Sequence, residues 1–207
     1  ERRLATAVSF PALSRVAGWL ADRRLPPALL VPVIRAYSRV YGVDLSEAAA
    51  PPEAYPTFNA FFTRRLRDDA RAVAAAAIVS PADGRISQIG MIDGGRVLQA
   101  KGHHFDLVAL LGGDKALAAA FTDGLFATVY LSPRDYHRVH LPLAGTLEAM
   151  TFIPGALFSV SDATAQLVPG LFARNERVVC LFDTALGPMA VILVGAIFVG
   201  SMETVWH

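Results

Sequence analysis

Residues 131–142 read Leu-Ser-Pro-Arg-Asp-Tyr-His-Arg-Val-His-Leu-Pro. The stretch holds two imidazoles, two guanidiniums, a carboxylate and a phenol. Folding does not require that density of titratable groups, whereas acid–base chemistry does. His137 and His140 would share a face on a helical turn and oppose one another on a strand. Pro133 and Pro142 bracket them and argue against one long helix. The expectation is a turn or short helix leading into a strand, with both imidazoles near its mouth. Upstream, Ser80-Pro-Ala-Asp83-Gly84-Arg-Ile follows the apolar run 74–79, and its Asp-Gly pair marks a turn. Asp83 is a candidate to orient one of the histidines, because a carboxylate on one ring nitrogen sets the tautomer and stabilises the imidazolium. Such a pair needs a hydroxyl or thiol to act on.

From about Ile78 the chain reads mainly as strands. Segments 85–91 and 96–100 flank Asp93-Gly94-Gly95, which predicts a hairpin. Further strands are expected at 125–131, 145–152, 177–182 and 189–197. Residues 105–121 read as a helical stretch interrupted at Gly112-Gly113. Ahead of the strands lie three helical patterns. In 10–24 the stripe is Leu13, Val16, Ala17 and Leu20, with Trp19 at its edge. In 28–41 it is Leu29, Leu30, Val33, Ile34, Tyr37, Val40 and Tyr41. Pro26 and Pro27 can start this second helix, and Pro32 would delay or kink it. In 57–66, Thr57 is the expected N-cap, with Phe58, Phe61 and Phe62 ahead of Arg64 and Arg65. The expected class is α+β: an N-terminal helical region over 1–70, then a β-rich catalytic domain over 71–207.

Apolar residues make up 54% and mean hydropathy is +0.42, values that suggest a membrane-facing surface. Net charge is +1, which makes no case for nucleic acid. The charge is uneven: residues 1–75 hold eleven Arg against seven Asp or Glu, and the rest holds eight Lys or Arg against eleven acids. A basic N-terminal third suits an anionic lipid surface. The nineteen uncharged residues 184–202 are long enough to span a membrane, but Gly187, Pro188, Gly195 and Gly200 interrupt them. Two buried strands broken near Gly195 are expected there. The single Cys180 reads as a buried small hydrophobe, and one cysteine allows no internal disulfide. His103, His104, His137 and His140 fit no strong metal-ligand spacing, so no metal is expected.

Several segments together resemble phosphatidylserine decarboxylase of the membrane-associated type. They are Tyr55-Pro-Thr-Phe-Asn-Ala-Phe-Phe-Thr-Arg-Arg-Leu66, Ser80 to Gln88, Leu98-Gln-Ala-Lys-Gly-His-His104 and Tyr130 to His140, with Phe172-Ala-Arg-Asn-Glu-Arg177 and Val194 to Trp206. They lie in order over roughly residues 10–206. The resemblance implies removal of the carboxylate of phosphatidylserine to leave phosphatidylethanolamine. It implies a pyruvoyl group that forms a Schiff base with the substrate and serves as the electron sink. The group arises when the precursor cuts itself at a Gly-Ser bond, the serine becoming the new terminus of a small α chain. By this resemblance Asp83 and His140 match two members of the self-cleavage triad. His137 is implied as a helper in decarboxylation, either a proton donor or a partner for the substrate carboxylate. Arg134, Arg138 and Tyr136 are candidates for substrate binding. Trp19, Phe58, Phe61 and Phe62 are candidates for membrane contact, since a lipid substrate favours placing the three stripes at a membrane surface.

No Leu-Gly-Ser-Thr motif occurs, and the only Gly-Ser pair, Gly200-Ser201, lies too early to be the expected scissile bond. The chain is therefore expected to be most of a β chain, with the precursor serine downstream on the α chain. The expected partners are that α chain, phosphatidylserine and an anionic membrane surface, with a homodimer of αβ units left open. The expected location is the cytoplasmic face of a bacterial inner membrane, as a peripheral protein. Two other readings stand beside this one. The first is a serine hydrolase using Asp83, His140 and a serine such as Ser159 or Ser201, although no Gly-x-Ser-x-Gly elbow is present. The second is a non-catalytic membrane-binding module. Lys101 as a pyridoxal phosphate anchor is disfavoured against a structural or phosphate-pairing role.

Overall fold

Prolines stand where helices can begin and a glycine where one must stop. The computed structural model, which describes residues 11–100 and 102–206, follows these signals. Helix α1 spans Pro11–Ala21, and its described side chains begin at Ser14, so Phe10 and the Leu13 side chain fall outside the description. Helix α2 spans Pro27–Tyr41, with Pro27 in the first turn, where a missing N–H costs nothing. It stops at Gly42, whose φ of 74° lets its N–H return to the Ser38 carbonyl. Pro32 neither delays nor ends α2: the helix runs through it, with Leu30, Val31 and Ile34 buried around it. A 3₁₀ turn, Leu45–Glu47, is capped by Asp44. Helix α3, Phe58–Phe62, is capped by Thr57 Oγ1, which accepts the Ala60 N–H at 3.0 Å. It is shorter than the expected 57–66.

The strand-rich part follows in the order β1 (Arg85–Met91), β2 (Arg96–Ala100), β3 (His103–Asp106), α4 (Leu107–Leu110), α5 (Lys115–Ala119), β4 (Leu125–Tyr130) and β5 (Gly145–Ile153). After these come α6 (Asp162–Leu167), α7 (Leu171–Arg174), β6 (Arg177–Thr184) and β7 (Gly187–Val194). Helices and sheet are thus mixed, as the α+β expectation requires. Strands β5, β6 and β7 form an antiparallel meander, with a register shift between Leu147 and Ala149.

Three expectations fail here. Strands β1 and β2 do not form a hairpin: the Asp93–Arg96 turn closes, but β1 pairs with β4 and β2 with β3. The stretch 105–121 is not one helical stretch, because Phe105 belongs to β3 and Asp106 then caps α4. Residues 184–202 hold β7 and a tight turn joining Ala196 and Val199, not two strands. Among the described residues no helix is long and apolar enough to cross a membrane.

The chain divides into two compact units. One comprises Val16–Arg85 and Val129–Leu143. Its core is Leu30, Ile34, Val43 and Phe61, with Tyr37, Leu45, Tyr55 and Phe58 packed against them. The other comprises 11–15, 86–128 and 144–206. Its main core gathers Val97, Phe105, Leu107, Leu110 and Val179. Within that unit Arg177, 2% exposed, donates to four carbonyls at 2.5–2.9 Å: those of Ala109, Leu110, Ala173 and Asn175. These carbonyls lie at the ends of α4 and α7, where short helices leave oxygens short of partners, although the Ala109 oxygen also takes the Gly112 N–H at 3.2 Å.

Candidate active site

The chemistry-bearing segments of the sequence meet within the first unit. Residues 131–144, between β4 and β5, form neither a helix nor a strand; the expected turn closes where the Asp135 N–H meets the Ser132 carbonyl at 2.9 Å, and the strand that follows, β5, begins only at Gly145. The segment is held from within and by its neighbours. Ser132 N–H and Oγ both donate to Asp135 Oδ2, at 2.6 and 2.7 Å. Tyr37 of α2 donates its hydroxyl to the Pro133 carbonyl at 2.8 Å, and Arg138 Nε donates to the Thr63 carbonyl at 2.8 Å. Burial drives the Tyr37 hydroxyl pKa up to about 12, so it remains a donor.

His137 lies half-buried against Phe62, with ring centroids 4.1 Å apart. Its Nδ1 lies 2.8 Å from the Asp135 carbonyl. A carbonyl can only accept, so Nδ1 carries the proton and Nε2 is left as the acceptor. Burial, and secondarily the charge of Arg64, lower the pKa of His137 below that of an ordinary histidine, so at neutral pH the ring is uncharged. His140 is exposed, and its Nε2 lies 3.2 Å from the Tyr136 hydroxyl.

Asp83 arrives beside this loop through main-chain pairing. The His140 N–H donates to the Pro81 carbonyl at 2.7 Å, and Val79 N–H to the Pro142 carbonyl at 2.9 Å. Gly84 makes the approach feasible: its φ is 130°, and a Cβ there would sit 2.4 Å from the Tyr130 carbonyl oxygen. The Asp83 carboxylate accepts from Arg71, Nε to Oδ1 at 2.9 Å and Nη2 to Oδ2 at 2.5 Å, and from the Tyr136 main-chain N–H. The Arg71 guanidinium holds its carboxyl below the usual aspartate range. The segments carrying Asp83 and His140 therefore lie side by side, while the carboxylate itself is turned to Arg71.

Sequence reading missed three residues here. Arg71 and Glu47 meet in a two-point contact at 2.7 and 2.9 Å, yet they stand 24 positions apart in a charged stretch that reads as solvated surface. Arg64 is 4% exposed and lies over the Phe61 ring. Among the described residues its single hydrogen bond is a long 3.5 Å contact to the Arg134 carbonyl, and its Nε has no partner. The Phe-Phe-Thr-Arg-Arg run was a visible signal, but nothing in it said which arginine turns inward.

The other candidates fall as follows. Arg134 is exposed, 3.7 Å from Asp135. Phe61 is completely buried, because α3 aims it into the core beside Leu30 and Ile34, which removes it from any outward surface. Phe58 and Phe62 are half-buried. Trp19 is exposed, and with Val16, Leu20, Leu29, Val33 and Val40 it forms the apolar exterior of α1 and α2. Lys101 lies outside the described residues. Among the described residues no three His, Cys, Asp or Glu side chains converge.

Comparison with known proteins bears directly on this arrangement. The family model described as phosphatidylserine decarboxylase matches residues 58–206, which include Asp83, His137 and His140. A "Phosphatidylserine decarboxylase proenzyme" of Marinobacter nauticus is 59% identical over 198 residues, covering 94% of this chain and 69% of the relative. Proteins of the same name from Acidovorax ebreus and Methylococcus capsulatus are each 60% identical, covering 95% and 94% of this chain and 69% and 68% of their own lengths. The chain belongs to the phosphatidylserine decarboxylase family of carboxy-lyases.

Proposed function

We propose that this chain is the β portion of a self-processing enzyme that decarboxylates phosphatidylserine to phosphatidylethanolamine, with a pyruvoyl group derived from a serine beyond residue 207. The observation that carries the proposal is the main-chain pairing of Pro81 with His140, which sets Asp83 and an exposed imidazole on adjoining segments. These residues suit the making of such a group from serine. A hydroxyl already stands 3.2 Å from His140 Nε2, the reach at which a serine proton can be taken up. Asp83, kept ionised, stabilises the imidazolium that results. When bound to substrate, the pyruvoyl carbonyl supplies the electron sink for loss of CO2.

With Nδ1 committed to the Asp135 carbonyl, Nε2 is the His137 nitrogen that takes up a proton and passes it on. A ring that binds its proton weakly gives it up readily, which suits a donor to the carbon that CO2 leaves. The exposed guanidiniums of Arg134 and Arg138, together with the Tyr136 hydroxyl, suit the phosphate and headgroup. The apolar exterior of α1 and α2, Trp19 with Val16, Leu20, Leu29, Val33 and Val40, would rest on an anionic bilayer within the helical region 1–70. Phe58 and Phe62 lie at its edge. This makes a peripheral protein of the cytoplasmic face of the inner membrane, working with its α chain and open to pairing as a homodimer of αβ units. The names of the relatives do not favour a hydrolase.

The test is self-cutting of the full-length precursor. Asp83→Asn or His140→Ala leaves one uncut band on a denaturing gel, and normal cutting by either removes that residue from the role. His137→Ala is cut normally but loses decarboxylation; unchanged turnover refutes its assignment.

A further inference from the structure

Arg71 uses all five of its N–H groups. Nε and Nη2 grip Asp83, Nη1 and Nη2 grip Glu47 at 2.7 and 2.9 Å, and Nη1 also reaches the Ala70 carbonyl at 2.6 Å. Glu47 is itself fixed, since its carbonyl accepts the Arg67 N–H at 2.9 Å and the 3₁₀ turn it ends is capped by Asp44. Two distant chain segments thus converge on one planar cation carried by a third. We infer that Arg71, backed by Glu47, is a positioning residue for self-cleavage: it holds Asp83 in place beside the histidine loop without cancelling its charge. The inference rests on the role proposed above for Asp83.

The argument turns on charge. A lone Arg–Asp pair is neutral and does little for a neighbouring imidazolium. One guanidinium between two carboxylates leaves one net negative charge on the trio, so Asp83 remains an effective counter-ion. The other charges whose fields reach this group are Arg64, toward both carboxylates, and Asp44, which feels Arg71. Geometry adds to charge. The two-point grip fixes the carboxylate plane, which a lysine could not do. Asp83 keeps its Tyr136 N–H bond at the same time, tying it to the loop that carries both histidines.

The experiment follows cutting of the full-length precursor made by cell-free synthesis, over roughly pH 5–8. Arg71→Ala slows cutting on the order of 10²-fold, the scale of loss from misplacing a catalytic group. Millimolar methylguanidinium restores part of the rate. Glu47→Gln, which neutralises the trio, slows cutting several-fold at neutral pH and moves the half-maximal pH downward. Three outcomes overturn the inference: Arg71→Ala cut at the parent rate, a slowed Arg71→Ala that methylguanidinium does not relieve, or a Glu47→Gln profile that keeps its midpoint. An Asp83→Asn control separates the two ideas. If that precursor is cut normally, the role of Asp83 itself falls. If it is blocked while Arg71→Ala is unaffected, only the inference falls.

Discussion

Two arginines, one in each unit, are almost equally buried and are treated in opposite ways. Arg177, in the sheet-bearing unit, meets four carbonyls, and each of its three nitrogens donates. Arg64, in the unit with the histidine loop, has one long contact, an aromatic ring beneath it and an orphan Nε. Desolvation weakens the hold of both guanidiniums on their proton, but only Arg177 receives full compensation in hydrogen bonds. The first arrangement is what a folding staple requires. The second leaves a cation beside His137 whose main action is electrostatic.

Substitutions test that contrast, beginning with the largest effect. Arg177→Met removes the donor from four carbonyls, of which the Ala109 oxygen keeps the Gly112 N–H, and should destabilise the protein by about 4 kcal/mol, read as a fall in the urea midpoint. Loss of less than about 1 kcal/mol would make the two arginines alike. Gly84→Ala places a methyl group against the Tyr130 carbonyl at a left-handed φ and should cost about 2 kcal/mol, with loss of precursor cutting. A precursor cut normally after that change would mean that Asp83 tolerates being moved.

Arg64→Met should change stability by less than about 1 kcal/mol, in either direction, since the buried charge returns little bonding. It should also raise the His137 pKa, because a lowering charge is removed, seen in the NMR titration of the ring. A ring that titrates as before would deny Arg64 its electrostatic action. The smallest effect is on pH-dependent stability. His137 binds its proton less tightly folded than unfolded. Its contribution is therefore complete above the ordinary histidine value of about 6.5 and declines as pH falls from there toward the lowered value. The Arg64→Met protein should lose less stability over that interval.

What could be read from the sequence was whatever local chemistry decides. Thr57 caps α3, Pro27 opens α2, and the strands at 85–91 and 96–100 stand where alternation and turn residues put them. What could not be read was pairing between distant segments. Asp93-Gly94-Gly95 closes a good turn, yet the ladders on either side go to β4 and β3. The stripe of α3 was visible, but its direction was not: Phe61 turns inward because Leu30 and Ile34 supply a core for it. Asp83, His137 and His140 announced themselves by type and spacing. Arg71 and Glu47 did not, because an arginine among aspartates looks like solvent-facing charge until the fold shows what it grips.

The contact between the His140 N–H and the Pro81 carbonyl has a consequence for timing. It is a tertiary bond between segments that the ribosome releases well apart. A nascent or misfolded chain owns the same side chains but none of their arrangement, so under the proposed chemistry it is inert. The severed backbone then serves as a receipt, issued only after the unit has closed correctly, and the activity of the enzyme becomes conditional on its own quality control.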